Sequence, residues 1–308
     1  VMAGALPKPV AVVATSNLCD GNARSFEIVA DLVGASYFFI DVPYDGTTAD
    51  AAEYLAGQLD SLVSGIEKAT GRPMKPEELR EAVKRSATMI DRMKEVYQLR
   101  KAVDLPGTRA MLLFYLSHVM PGSREGIEIY DRISRELRQK VISGRRKRGR
   151  TRLLWLHLTP TYPSEIGKIL DDGTRATVVF EEVNYVPEVS MDPTAPLTSI
   201  ARRILVNPLA GPVERRKEAI KKYATDFRIH GAVHFSHWGC RQSSGGVRVI
   251  KDALNRMNVH LLNIDGDCVD PRAAGQGQMQ TRAEGFLEML ESIVGGDENQ
   301  ASLNTLPS

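Results

Sequence analysis

The sequence predicts an α/β fold with two parallel-sheet domains and a helical block between them, on three observations. Residues 10–41 read strand, loop, helix, strand. Residues 49–141 carry helical spacings and no strand pattern. From residue 153 onward, short apolar runs alternate with helical segments as far as residue 294. Strands joined through helices pair in parallel, because a parallel connection needs a crossover of about a dozen residues or more.

The first strand is read over residues 10–14, a β-branched run, followed by a polar loop over 15–23, a helix over 24–32 and a strand over 37–41. This is one β–α–β unit, and two strands are only part of a sheet because they cannot bury a face by themselves. Residues 1–48 are therefore expected to be part of a first β/α domain. The opening, Val1 to Pro9, reads as the interior of a longer polypeptide. Residues 49–150 form the helical block and its connector. Helices are expected over 50–70, 76–103 and 104–140, the last broken near Pro121 and Gly122. A basic connector over 144–152 follows, read as an exposed linker or a docking patch for an acidic partner.

The second β/α domain spans residues 151–294. Strands are expected over 153–158, 177–182, 231–235 and 260–264, and helices over 165–170, 197–205, 213–225, 245–258 and 280–294. Residues 295–308 are polar and are expected to be disordered.

Composition narrows the function classes. The chain has 308 residues, 43% hydrophobic and 25% charged, with a net charge of +2. This is a soluble globular composition, and it lacks the basic excess of a nucleic-acid binder. No apolar run approaches the roughly 18 residues of a membrane span. The opening residues lack the charged and apolar regions of a signal peptide, so a cytoplasmic location is expected. In that reducing compartment Cys19, Cys240 and Cys268 read as thiols or ligands, not disulfide partners.

In open α/β sheets the ligand site lies beyond the carboxyl ends of the strands. Each of the three cysteines falls in a loop following a predicted strand. The segment from His234 to Gly246 admits several readings. His234, His237 and Cys240 have zinc-like spacing, with an acidic fourth ligand available. Ser243, Ser244, Gly245 and Gly246 open a predicted helix, whose free amides can cradle a phosphate or a cluster sulfide. His234 alone reads best as a core histidine. Cys240 beside Arg241 reads as a metal ligand, because a neighbouring cation favours the thiolate. Asp265, Asp267 and Asp270 can bind a divalent cation, but capping the following turn is the better reading.

Taken in order, these pieces resemble the 2-hydroxyacyl-CoA dehydratase and benzoyl-CoA reductase family. The matching elements are the Cys19–Asp20 loop, the Phe39, Ile40, Asp41, Val42, Pro43 run, and Leu62 with the Glu67 to Gly71 helix end. They continue with the Ser236, His237, Trp238, Gly239, Cys240, Arg241 string, with Asp265, Asp267 and Asp270, and with Gly277, Gln278 and the run from Thr281 to Leu290. The resemblance implies two Rossmann/flavodoxin-like parallel-sheet domains with the helical block between them. It implies one 4Fe–4S cluster per subunit, held by three cysteines. Cys19 and Cys240 match two of these ligands, and the remaining one lies upstream of residue 1. Cys268 stands where the family does not commonly place a ligand, and Asp265 and Asp267 would oppose a thiolate there. Ser236 and His237 become the candidate catalytic residues. Arg241, Ser243, Ser244, Gly245 and Gly246 become the candidate cofactor-binding residues. The Ser236 to Cys240 string looks more like the smaller (beta) subunit of the pair.

The activity so implied is dehydration of an (R)-2-hydroxyacyl-CoA to an enoyl-CoA. Its difficulty is a β-hydrogen too weakly acidic for an ordinary general base. One electron on the thioester carbonyl gives a ketyl radical that expels the hydroxyl and acidifies that position. The partners implied are a homologous second subunit, an ATP-dependent iron–sulfur activator protein and an acyl-CoA substrate, with neither nucleic acid nor membrane. The chain has no Walker-type Gly-x-x-x-x-Gly-Lys string, as expected if ATP is hydrolysed elsewhere. The alternatives are a benzoyl-CoA reductase-type subunit, the zinc enzyme on His234, His237 and Cys240, and a non-catalytic subunit whose cluster only relays electrons.

Overall fold

The structure, a computed structural model, describes residues 7–17, 19–48, 50–105, 107–144, 151–273 and 275–303. Both of its sheets are parallel throughout. Strand β1 (Ala11–Thr15) leads through helix α1 (Asp20–Val33) to β2 (Ser36–Ile40), with Ala11 opposite Ser36 and Thr15 opposite Ile40. Gly34 closes α1 in the left-handed region at φ 61°, the usual glycine C-terminal cap. Two strands cover little, and Phe26, Ile28 and Leu32 of α1 and Phe39 of β2 remain exposed.

The helical block comprises α2 (Ala51–Thr70), α3 (Pro76–Arg100), α4 (Gly107–Val119) and α5 (Arg124–Ile142). A core of Met89, Met93, Val96, Leu113, Tyr130 and Leu137 joins α3, α4 and α5. Ser123 caps α5 by accepting from the Gly126 amide, and Gly122 at φ 80° makes the break that Pro121 announces. Helix α2 lies on α7 (Pro196–Leu205) through Leu55, Leu59, Ala201 and Leu205. The block is thereby tied to the second sheet system.

That system is a four-stranded sheet of order β4-β3-β5-β6, with β3 at Thr151–Leu156, β4 at Ala176–Glu181, β5 at Gly231–His237 and β6 at His260–Gly266. Side chains alternate between its faces. Leu153, Trp155, Val233, Phe235 and Ile264 meet α6 (Glu165–Leu170) and α11 (Gln276–Leu303) on one face. Leu154, Leu156, Ala232 and Leu261 meet α8 (Val213–Asp226) and α10 (Val247–Asn255) on the other. The short α9 (Arg241–Gly245) precedes α10.

From β3 the chain moves outward to β4 and then returns to β5 on the opposite side of β3. The carboxyl ends of β3 and β5 therefore form a topological switch point, where such sheets open a ligand crevice.

Three expectations change here. The helix expected over 245–258 starts earlier and is interrupted: α9 ends at Gly245 and α10 runs from Val247 to Asn255, and Gly246 between them packs so closely that a Cβ would sit 2.9 Å from Val213. Helix α11 runs to Leu303, past the residue 294 boundary expected from the sequence, while residues 304–308 lie outside the described residues. Of the basic connector, residues 145–150 also lie outside them, but Arg152 is no exposed linker. It is buried in β3 and pairs with Asp104 at 3.4 Å.

Candidate functional site

A cavity of about 410 Å³ opens at the switch point. All three cysteines line it, together with His157, His237, Ser243 and Arg216. Phe114, Leu158 and Val183 supply apolar wall, and His118, Tyr185 and Asn207 complete other sides.

Cys19 ends the loop after β1 as the N-cap of α1, its sulfur accepting from the Asn22 amide at 3.4 Å. The same sulfur lies 3.8 Å from the Gly239 carbonyl oxygen, in the loop after β5. A side chain at Gly239 would crowd the His237 ring, since a Cβ would fall 2.9 Å from Nε2. Cys240 follows as the N-cap of α9, its amide donating to the His237 carbonyl at 3.0 Å. Asp20 and Arg241 form an ion pair across the two loops. Arg241 thus holds the Cys19 loop to the Cys240 loop. Its side chain is otherwise exposed, and the cation acting on Cys240 is Arg216. Burial, not a neighbouring cation, dominates at this thiol and pushes it up, partly offset by the Ser243 amide. The expectation that Arg241 lowers it fails because Arg241 turns toward Asp20.

Cys268 lies just beyond β6. Its amide donates to His237 Nδ1 at 3.2 Å, and its carbonyl accepts from the Thr161 amide at 2.8 Å and hydroxyl at 2.9 Å. With Nδ1 accepting, neutral His237 carries its proton on Nε2. Burial, then Asp267, raises the Cys268 thiol. Asp267 Oδ1 accepts from the Val269 and Asp270 amides, and Asp270 pairs with Arg272 at 2.6 Å, so these acids shape the turn as expected. The sequence reading set Cys268 apart from the other two cysteines; the structure brings it to the same cavity.

The other candidates divide by strand parity. Ser236 shares its face of β5 with His234 and is buried, its hydroxyl donating to Asn263 Oδ1 at 2.7 Å. His234 lies between Asn263 at Nδ1 and Ser243 Oγ at Nε2, each 3.0 Å away. Both nitrogens are thereby spent inside the core, which removes His234 from any zinc triad with His237 and Cys240. Among the described residues, the three metal-type donors that come within 4.8 Å of one another are His237, Asp267 and Cys268. Ser244 donates weakly to the His237 carbonyl at 3.4 Å. Gly245 and Gly246 line a neighbouring hollow and not the cysteine cavity, so the four residues do not act together as one cradle.

Sequence reasoning missed His157, Arg216 and Glu182. His157 sits at the end of β3 with φ 67°, a left-handed conformation uncommon for a bulky residue and typical of functional sites. Its amide donates to Glu182 Oε2 at 3.0 Å and its Nδ1 to the Phe235 carbonyl at 3.3 Å. Arg216 holds Glu182 through two contacts of 2.6 and 2.8 Å and donates to the Ser243 carbonyl at 2.9 Å. The only sequence cue was a histidine at the carboxyl end of an apolar strand.

Burial pushes His157 down to about 4 and His234 down to about 3. Both stay neutral in the folded chain when the unfolded chain, titrating near 6.5, becomes protonated. Their contribution to stability is complete above the unfolded value and lost as pH falls toward the folded ones. The thermal midpoint should therefore drop as pH falls from about 6.5 toward about 4, and His234→Gln should flatten that limb. An unchanged slope in the variant would contradict the assignment.

The donor set suits an iron–sulfur group: three soft thiols around one largely apolar cavity, on loops fixed by hydrogen bonds. Residues 1–290 match the family described as 2-hydroxyglutaryl-CoA dehydratase, D-component. The chain is similar to the (R)-phenyllactyl-CoA dehydratase alpha subunit of Clostridium sporogenes, 21% identical, over 92% of this chain and 72% of that one. It is similar to the alpha subunit of (R)-2-hydroxyglutaryl-CoA dehydratase from Acidaminococcus fermentans, 20% identical, over 93% of this chain but only 61% of that one. It is 22% identical to a subunit of benzoyl-CoA reductase from Thauera aromatica, over 94% of this chain and 72% of that one. Both of these dehydratase relatives are alpha subunits, whereas the sequence expectation is the smaller (beta) subunit. The match across residues 1–290, together with a cavity built from the loops that carry the motif residues, establishes that the chain belongs to the 2-hydroxyglutaryl-CoA dehydratase D-component family.

Proposed function

We propose that this chain is the iron–sulfur subunit of an acyl-CoA-processing enzyme, with (R)-2-hydroxyacyl-CoA dehydration as the favoured reaction. The observation that carries the reading is the meeting of Cys19 and Cys240, from opposite ends of the sequence, on one cavity at the sheet's switch point. These two thiolates would hold a 4Fe–4S cluster. When bound, the cluster supplies single-electron chemistry and a Lewis-acidic iron, which a side-chain base cannot provide.

The chain's own residues do the rest. Phe114, Leu158 and Val183 keep the cavity dry, which strengthens every polar contact made inside it. His237, anchored at Nδ1 by the Cys268 amide, carries Nε2 over Gly239 and would use it to hold or deliver a proton in the cavity. Arg216 and Glu182 neutralise each other and fix the loops after β3 and β5, so the cavity keeps its shape as charge changes within it. A homologous second subunit, an ATP-dependent iron–sulfur activator and an acyl-CoA belong to the same reading.

Purified without oxygen, the protein should contain iron and acid-labile sulfide in near-equal amounts. Stoichiometric zinc without iron would sink the proposal. Similarity to a benzoyl-CoA reductase chain favours one alternative, reduction of an aromatic acyl-CoA. Offering a 2-hydroxyacyl-CoA and benzoyl-CoA in parallel to the assembled, electron-supplied complex separates the two. An enoyl-CoA product supports the first, and a reduced ring the second.

A further inference from the structure

We propose that His157 Nε2 accepts the hydrogen bond of the substrate's 2-hydroxyl and makes this cavity selective for 2-hydroxyacyl thioesters. The inference rests on the acyl-CoA reading above and adds a specificity-determining residue to it. His157 lines the cysteine cavity at the carboxyl end of β3 and is only 6% exposed. Strand alternation alone would put it on the face of Leu153 and Trp155. Its left-handed backbone turns the ring to the other face, where it stacks on His234 with the ring centroids 6.0 Å apart. The Glu182 carboxylate holds that turn through the His157 amide, so a strained conformation is maintained at the switch point.

The tautomer follows from the ring's partner. A backbone carbonyl can only accept, so the 3.3 Å contact to Phe235 fixes the proton on Nδ1. Burial keeps the ring neutral, which leaves a lone pair on Nε2. Among the described residues, Nε2 has no hydrogen-bond partner. Other polar side chains of the cavity are engaged: Arg216 with Glu182 and Ser243, the Thr161 hydroxyl with the Cys268 carbonyl, and Asn207 Oδ1 with the Leu209 amide. A buried acceptor in a largely apolar cavity calls for a donor from the ligand, because leaving it unmet costs the solvation it gave up. In a 2-hydroxyacyl thioester the donor at the reacting end is the 2-hydroxyl. The nearest N–H of coenzyme A lies beyond the sulfur and two methylenes. A benzoyl thioester has no donor at that end. An acceptor at Nε2 therefore favours the hydroxyacyl substrate and stands unpaired against an aromatic one.

The test measures equilibrium binding to the anaerobically purified protein, with any subunit that accompanies it and without an electron supply, so that no turnover occurs. The probes are (R)-lactoyl-CoA and propionyl-CoA, which differ by the 2-hydroxyl alone. Wild type is compared with His157→Asn and His157→Gly. Both replacements tolerate the left-handed backbone, and asparagine can also keep a donor to the Phe235 carbonyl while lacking Nε2. Wild type should bind the hydroxy thioester about tenfold or more tighter than its deoxy counterpart. Both variants should lose most of that preference, keep their affinity for propionyl-CoA, and match wild type in circular dichroism and iron per chain. Either variant decides the matter if the other fails to fold. A preference that survives substitution, an equal loss of affinity for both thioesters, or a wild type with no preference overturns the proposal and leaves the acyl-CoA reading standing. A wild type that binds neither thioester overturns both.

Discussion

Cys19→Ala and Cys240→Ala proteins, prepared anaerobically and combined with their partners, are expected to lose most of their iron and essentially all activity. Each change removes a covalent anchor that water replaces poorly, because soft thiolates bind iron far better than neutral oxygen. The two sites differ in what else they disturb. Cys19 also caps α1 through the Asn22 amide, so Cys19→Ala frays a helix end as well as removing a ligand. Cys19→Ser separates the two effects. Serine is a preferred N-cap, so it restores the cap without restoring a soft ligand. Cys19→Ser should therefore fold as well as wild type and still be poor in iron. Cys240 is buried, and its loop is held by its own amide bond to the His237 carbonyl and by the Trp238 amide bond to the Gly266 carbonyl. Cys240→Ala leaves those contacts in place. Iron per chain and visible absorption, measured beside thermal unfolding, check both variants. A Cys19→Ala protein that remains brown and active would remove the first loop from the ligand set.

The alternation of strands and helices was legible because periodicity is local. Helix α6 begins and ends at residues 165 and 170, as its spacing predicts, and β5 and β6 fall where apolar runs meet turn residues. That the Cys240 and Cys268 loops would converge was legible too, since β5 and β6 are parallel neighbours of one sheet, whereas Cys19 follows a strand of the other sheet and its meeting with them depends on long-range packing. What the sequence hid depends on contacts made across long separations. Arg241 stands beside Cys240 in the chain, but its charge goes to Asp20 on α1. Arg216 and Glu182 belong to different elements and have no shared local signature. Ser236 is a different case. Strand parity puts it with His234, so the rule that buries the histidine buries the serine as well. His157 was masked by lying at the end of an apolar run, where a helical or extended neighbour gives no hint of a left-handed backbone.

The largest expected effect on stability is at the buried Arg216–Glu182 pair, which is also where the cavity's shape is set. Both side chains are at least 95% buried, at 5% and 1% exposure. Burial would raise the Glu182 carboxyl, but the Arg216 charge and hydrogen bonds hold it below the ordinary carboxylate value. Its stabilisation is thus present above the unfolded carboxylate range and is lost only as pH falls through the lowered folded value. Removing one partner leaves the other as an uncompensated buried charge, which costs about 3–5 kcal/mol. Arg216→Met should carry that cost and also release the Ser243 carbonyl; Glu182→Leu should carry it and release the His157 amide. Removing both charges together is different, because a buried pair replaced by apolar groups of similar size is often neutral or stabilising. The Arg216→Met, Glu182→Leu double variant should recover much of the loss, short of the two backbone hydrogen bonds, each worth about 1 kcal/mol. Denaturant unfolding of wild type, both single variants and the double variant measures this cycle. Single variants within about 1 kcal/mol of wild type would mean that water reaches the pair and that it does not brace the cavity. A double variant as unstable as the sum of the singles would mean that the two groups act separately, and the bracing role would then rest on the Ser243 and His157 contacts alone.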